Sequence, residues 1–477
     1  VFLAIKRTGK QNPSQQKSLG LEKPNGEQSD HQEDRFCTER GAVMGMSVAI
    51  IGAGAGGFYT AAALIKELPD CRVDVLDKLP TPYGLIRGGI APDHQSSKKI
   101  AKVFERTAMA DNVRFLGNVE VGRDVTLEEL RNTYDAVVLA TGAPADRTLG
   151  IPGQDKQGVF GSAAFVGWYN CLPEERFLNP DLSTETAVVI GAGNVALDVA
   201  RLLAKTGDEV RVTDMSHYAQ DAIDDAPIKD VLIYARRGPL QAAFTHKEIK
   251  EFGELENAVT LVDPDALPAE DEELVAKGRG SQQKNVDLMR GYSSNKGDEK
   301  PVRVHINFYA KPVEVLGDDA VTGLRMEKTV VEEDGSCVGT GEFFEVPCSL
   351  VVACIGTHGQ PMEGVPYNES WQQFENEDGV IEPGLYAAGW AKRGASGTVA
   401  TNHPDGVAVA GHIAELTPDA GKAGPDGLDA MVAERNLRPV SFEEWKKIDD
   451  AEVAAAEHGA PRRKFTTVEE MVAFLDA

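Results

Sequence analysis

The stretch SVAIIGAGAGGFYTAAALIKEL, residues 47–68, decides the fold. An apolar run, Val48 to Ile51, passes into a glycine loop and then into a helix rich in alanine and leucine. The loop sets Gly52, Gly54 and Gly57 in the G-x-G-x-x-G spacing. Each glycine has its own work there: a tight turn, backbone approach to a pyrophosphate, and close packing of helix on strand. Unpaired N–H groups and the dipole at the helix start favour the phosphates. The following strand, RVDVLDK, ends at Asp77, twenty residues past Gly57, where an acid is expected to hold the ribose hydroxyls of an adenosine. Strand, loop, helix, strand and acid in this order predict a dinucleotide site.

A second unit repeats the design. TAVVIGAGNVALDVARLLAKTG carries Gly191, Gly193 and Ala196 between an apolar strand and a helix. Between the two units, YDAVVLATGAPADR reads as another buried strand ending at Ala140–Thr141–Gly142. Two nucleotide units in 477 residues point to a two-dinucleotide flavoprotein, with FAD in the first unit and a nicotinamide cofactor in the second.

The second unit offers two candidates for its next strand. EVRVTDM ends at Asp214, which read alone predicts an acid on a 2′-hydroxyl and hence NAD. KDVLIYARRG comes later and ends in Arg236 and Arg237. A central parallel strand is covered on both faces and should be continuously apolar, which Val231–Ala235 satisfies and Arg211 interrupts. TDMSHYAQDAIDDAPIKD then reads as an irregular helical insertion that delays the strand. Guanidinium forks suit a phosphate dianion, so the arginines predict NADP(H). A solvated pair at a strand end is the competing reading.

Composition bounds the rest. Apolar residues make up 42% and charged residues 26%, as in ordinary globular proteins, and no apolar run approaches the length of a membrane span. Net charge −26 argues against nucleic acid and anionic membranes as partners. Six cysteines, at 37, 71, 171, 337, 348 and 354, form no C-x-x-C pair, so no redox dithiol and no metal or iron–sulfur site is expected. A cytoplasmic location follows. Residues 1–45 are polar and expected to be a disordered extension, too acidic for an organelle transit peptide. Met44 and Met46, just before the first strand, mark a second candidate start in a chain that opens on Val1.

PTPYGLIRGGIAPDH (80–94), GNVEVG, VGWYN, GAGNVALDVAR, RRGPLQAAFTHKEIKE and LYAAGWAKRGASGTVATN together resemble adrenodoxin-reductase-type ferredoxin–NADP⁺ reductases, from about residue 46 to the C-terminus. The resemblance implies an α/β fold of two Rossmann-like three-layer dinucleotide-binding domains, glutathione-reductase-like. The FAD domain would comprise 46–143 and 355–477, with the NADP domain, 144–354, inserted. FAD would contact Gly56, Asp77, Leu85, Val121, Trp390, Gly397, Thr398 and Val399. NADPH would contact Arg147, the loop Ala192–Gly193–Asn194–Val195, Arg236, Arg237, Glu248 and Gly397. His94 and Glu251 match positions near the meeting point of flavin and nicotinamide, where they would orient the nicotinamide or handle a proton. Asp198 reads as a buried helix residue tying the domains.

The family often has Glu at Asp77 and a proline in the turn written here Gly394–Val399, so that turn is expected to be looser. The family's GYRG appears as Gly356–Thr357–His358–Gly359. With no dithiol exit, electrons should leave the flavin directly, one at a time, for a ferredoxin-type iron–sulfur protein. Lys98, Lys99, Lys102 and Arg106, near helical i, i+4 spacing, offer a basic face for that acidic partner, or simply a solvated helix face. The family suggests a monomer. An electron-input module of the glutamate-synthase small-subunit kind is the nearest alternative enzyme, opposed by the lack of an N-terminal cysteine-rich cluster. A flavoprotein that binds nucleotide without turnover is the alternative of another class.

Overall fold

A computed structural model describes residues 45–268 and 280–477. The amino-terminal extension and Cys37 therefore lie outside the described residues. The stretch 47–68 folds as its pattern predicts, into strand Ser47–Ile51 and helix Ala55–Glu67. That strand lies inside a six-stranded sheet ordered Val380–Glu382, Leu385–Ala387, Ala136–Leu139, Ser47–Ile51, Arg72–Leu76, Val113–Leu116. All neighbours are parallel except the edge pair of Val380–Glu382 with Leu385–Ala387.

Successive residues of a strand point to opposite faces, and here both faces are covered. Val48 and Ile50 enter one core with Phe58 and Leu64 of the following helix and Val409 and Ile413 of helix Asn402–Ala414. Ala49 and Ile51 enter another with Leu127, Leu130 and Leu428. Each Val, Leu, Ile or Phe among them, once buried, contributes roughly 1.5–3 kcal/mol.

The second sheet is ordered Val159–Gly161, Leu350–Ala353, Thr186–Ile190, Asp230–Tyr234, Val302–Asn307, Ala258–Val262, parallel throughout. One face packs Ala187, Val189, Val231 and Ile233 against Leu197 and Ala200 of helix Asn194–Leu203. The other packs Val188, Ile190 and Val351 against Val315, Leu324 and Met326 of an antiparallel three-stranded sheet, Ala310–Leu316, Gly323–Val331 and Cys337–Pro347. The fold is thus mixed α/β with two layered nucleotide-binding units. The chain passes between them on two short antiparallel strands, Ala145–Asp146 and Thr357–His358. Thr357 and His358 of the altered G-T-H-G segment thereby serve in the crossover.

The late strand is the real one. Asp230–Tyr234 pairs with Thr186–Ile190 in register Ile190↔Tyr234. The rival EVRV instead lies largely in helix Gly207–Arg211, begun by a capping box in which the Thr206 hydroxyl and the Glu209 carboxylate exchange hydrogen bonds with backbone N–H groups. Thr206 and Glu209 stand at the T-x-x-E spacing that marks such a start.

One polar network is buried in the first sheet. Asp74, fully shielded from solvent, accepts from Arg114 at 2.7 and 2.8 Å and from the Tyr134 hydroxyl. Removing the Asp74 carboxylate leaves the buried Tyr134 hydroxyl without its acceptor, while Arg114, 39% exposed, keeps Asp429. Asp74→Ala should therefore lower stability by about 2 kcal/mol, read as a lower urea midpoint. A loss below about 1 kcal/mol, the scale of an exposed pair, would contradict the buried network.

Candidate functional site

The two glycine loops divide their glycines by physical cause. Gly52 and Gly191 have φ of 109° and 141°, and a Cβ on either would meet Ala140 O at 2.4 Å or Cys354 O at 2.2 Å. A Cβ on Gly57 would lie 2.0 Å from Gly52 O, so helix and strand could not pack as they do. Those three are required by the protein itself. A Cβ on Gly54 would meet only Gly84 Cα, 4.0 Å away, and one on Gly193 would meet nothing within 4 Å. The free space beside the middle glycine of each loop fits a pyrophosphate lying against the backbone, which is the role such a glycine has in dinucleotide sites.

Several of the predicted residues lie at or near the first loop. Asp77 accepts from the N–H of Ala53 at 2.8 Å and of Leu79 at 3.0 Å. Burial pushes its carboxyl above the usual carboxylate range, and the two N–H donors oppose that shift. Gly84 approaches Gly54, so Leu85, 53% exposed, stands beside the loop. Val119 N–H donates to Asp77 O, which brings the turn at Val121 after the same strand end. Gly56 abuts Ala388 and Gly389, where the short helix Trp390–Arg393 begins. Trp390 Nε1 donates to Ser396 O at 2.8 Å and so braces the exposed turn that carries Gly397 and Thr398, with Val399 following.

In the second unit Ala192 O accepts from Ala243 N, and Asn194 Oδ1 accepts from Thr245 N, both at 2.8 Å. Val195 is 44% exposed at the helix start. Gly191 N–H donates to Tyr234 O at 2.9 Å, which puts the loop beside the strand that leads to Arg236 and Arg237. Both arginines are exposed, and among the described residues neither forms an ion pair. Arg147, also exposed, donates its N–H to Gly356 O at the crossover.

His94 and Glu251 meet where the two units face each other. His94 ends the first unit's P-D-H segment and Glu251 ends helix His246–Glu251 of the second, yet His94 Nε2 lies 2.7 Å from Glu251 Oε2. Glu248, expected as a nucleotide contact, belongs to this cluster: its carboxylate is 3.5 Å from His94 Nε2. A cleft of about 270 Å³ opens here, with Asp93, His94, Arg201, Lys205 and Glu251 among its lining.

Three members were not in the predicted site. Arg201, 1% exposed, binds Asp93 at 2.9 and 3.0 Å, Asp198 at 2.9 Å and Glu251 at 3.2 Å. Asp198 lies 3.8 Å from His94 Nδ1. Burial raises its carboxyl to about 6 against the pull of Arg201 and His94. Burial is the largest influence on His94 and opposes its charge, as does Arg201, but the hydrogen bond to Glu251 together with the Asp198 and Asp93 carboxylates prevails and raises the imidazole above its ordinary value. Glu251 is held below the carboxylate range: burial alone would raise it, and His94 and Arg201 prevail. His94, Glu248 and Glu251 are close enough to share a cation, but the Arg201 guanidinium already supplies positive charge beside both glutamates.

Lys98 corrects the basic face. Its ammonium turns inward to Asp214 at 2.6 and 2.8 Å, while Lys99, Lys102 and Arg106 stay exposed. Helix Gln95–Lys98 ends before helix Ala101–Ala108 begins, so the i, i+4 spacing does not carry Lys98 onto the face of Lys102.

Residues 46–261 match the pyridine nucleotide-disulphide oxidoreductase family model. The chain is 39% identical to the mitochondrial NADPH:adrenodoxin oxidoreductase of Salvelinus fontinalis, over 89% of this chain and 90% of that one. It is 38% identical to the NADPH-ferredoxin reductase FprA of Mycobacterium tuberculosis, over 89% and 98%. The solved structure of that FprA in complex with NADPH superposes with a TM-score of 0.86 at 37% identity, covering 90% of this chain and 99% of that one. Two glycine loops, a histidine and a glutamate joined across two units, and likeness over nine-tenths of the length place this chain in the adrenodoxin reductase and FprA-type NADPH–ferredoxin reductase family.

Proposed function

We propose that the protein is an FAD-dependent NADPH–ferredoxin reductase, with the FAD unit formed by 46–143 and 355–477 and the NADP unit by 144–354. The observation that carries this reading is the 2.7 Å contact of His94 with Glu251, one residue from each nucleotide unit. FAD, when bound, supplies two-electron chemistry toward NADPH and one-electron chemistry toward an iron–sulfur partner.

The chain's own residues do the rest. Gly54 and Gly193 admit the pyrophosphates. Gly56, Leu85, Val121, Trp390, Gly397, Thr398 and Val399 shape the flavin side, and Asp77 holds the ribose while bracing the loop through Ala53 N–H. Ala192, Asn194, Val195 and Arg147 flank the nicotinamide nucleotide, and Arg236 and Arg237 read its 2′-phosphate. His94 holds a proton at Nε2 that Glu251 stabilises, with Glu248 and Asp198 beside it. The five described cysteines are all unpaired, in keeping with direct electron exit and with a reducing, cytoplasmic compartment. No described helix is long and apolar enough to cross a membrane. One chain carries both loops and the His94–Glu251 pair, so we expect it to work as a monomer.

The ferredoxin would dock on Lys99, Lys102 and Arg106, where Val103 and Met109, 43% and 67% exposed, add apolar surface. Reversing these three charges should raise the KM for ferredoxin about fivefold or more, less so at high salt. The KM for ferricyanide should not change, and an equal rise for both acceptors would remove this face from the reading. Arg236→Ala with Arg237→Ala tests the cofactor choice. Losing charge-assisted phosphate bonds should weaken NADPH by about tenfold to a hundredfold and leave NADH nearly unaffected; equal weakening would refute the 2′-phosphate role.

The His94–Glu251 pair also predicts a pH signature. His94 has a raised pKa when folded, so its contribution is full below the unfolded value of about 6.5 and fades as pH rises through the folded one. Glu251 has a lowered pKa, so its contribution is full above about 4.3 and fades as pH falls through the folded value. His94→Gln should therefore cost about 1–2 kcal/mol of stability near pH 5.5 and clearly less at pH 8.5. Equal losses at both would argue that the pair is not ionised.

A further inference from the structure

Asp214, the acid that the late strand removed from nucleotide binding, has other work. It is 3% exposed and lies between helices Gly207–Arg211 and His217–Asp224 of the second unit. Its oxygens accept from Lys98 Nζ at 2.6 and 2.8 Å, and Lys464 Nζ stands 3.4 Å from Oδ2. Both lysines come from segments that pack with the first unit. Lys98 closes the four-residue helix that His94 opens as its N-cap. Lys464, 6% exposed, donates to Asn170 O at 3.0 Å and to Arg87 O at 3.3 Å. Arg87 in turn pairs with Glu452, which also takes Phe465 N–H at 3.0 Å.

His94 is therefore bracketed. The residue before it, Asp93, is bound to Arg201 of the second unit, and the residue four after it is bound to Asp214 of the same unit. We propose that Asp214 is a positioning residue for the reaction: through Lys98 and Lys464 it fixes the His94 segment against the second unit and so keeps His94 Nε2 in reach of Glu251. The inference rests on reading His94 and Glu251 as the proton-handling pair. Burial already lowers the Lys98 ammonium to about 7 and lowers Lys464, while Asp214 raises both, so neutralising Asp214 removes the carboxylate that keeps the two lysines charged and tied to the second unit. With that tie gone the segment is free to shift, and His94 shifts with it.

The test uses the flavin-loaded protein with Asp214→Asn, close in shape but neutral, and labelled histidine followed by NMR. The His94 titration should fall by about one pH unit as the Glu251 contact loosens. The limiting rate of flavin reduction by NADPH should drop at least about tenfold, the size of change expected from displacing a positioned group, with the Kd of NADP⁺ within about twofold. Lys98→Met should reproduce the His94 shift and Lys98→Arg should restore it, which general destabilisation would not do. Should Asp214→Asn fail to hold flavin, the two Lys98 variants decide on the same criteria. An unmoved His94 titration in folded variants overturns the inference. Failure of NADPH to reduce the wild-type protein overturns the functional reading alone, because the His94 titration reports position without turnover.

Discussion

A buried guanidinium joins the two halves of this molecule. Taking an arginine out of water costs several kcal/mol unless its donors are met by well-placed acceptors. Arg201 donates to Asp93 from the first unit at 2.9 and 3.0 Å and lies in ion-pair contact with Asp198 and Glu251 of its own unit at 2.9 and 3.2 Å. These contacts hold only when the P-D-H segment lies against helix Asn194–Leu203. That helix begins at the second glycine loop and carries Arg201 two turns later, about 10 Å along its axis. One rigid element thus spaces the nucleotide loop from the His94–Glu251 pair, and neither can drift without uncovering a charge.

The elements legible in the sequence are those whose cause is local. Glycine spacing, a continuously apolar strand and the interruption at Arg211 each report what neighbouring residues can do, which is why both loops and the delayed strand could be read. The ion pairs between the units have no local signature. Lys98 finds its partner 116 residues away, and the break between helices Gln95–Lys98 and Ala101–Ala108 undid the assumption of one continuous face. Arg201 was the more readable omission. It stands three residues after Asp198 on a helix whose other inward residues are apolar, and a charged pair at that spacing on a buried face needs partners from elsewhere.

The turn Gly394–Val399 was expected to be loose because it lacks a proline. The structure shows other restraints at the same place. Trp390 Nε1 holds Ser396 O, Arg393 reaches the Thr401 hydroxyl at 2.7 Å, and Thr398 O accepts from Thr401 Oγ1 at 2.7 Å. A proline would limit the backbone by fixing one φ; here side chains on either flank limit it by hydrogen bonds. Exposed bonds of this kind are individually weak, so the restraint depends on all of them forming together.

The two glycine loops share a motif but not a brace: the residue after the paired strand is Asp77 in the first unit and Ala235 in the second, one residue before the arginines. In the first unit the acid is part of the loop's own support, since Asp77 accepts the Ala53 N–H directly. A cation at that position would leave the N–H unmet. In the second unit the support comes from the chain beyond the strand: Ala243 N–H donates to Ala192 O, and Asn194 Oδ1 accepts from Thr245 N–H. With the loop secured from that side, the strand end is released from structural duty. Arg236 and Arg237 then stand exposed, in a chain of net charge −26, with no ion-pair partner among the described residues. Guanidiniums kept free in such an acidic protein are suited to an anion from outside it.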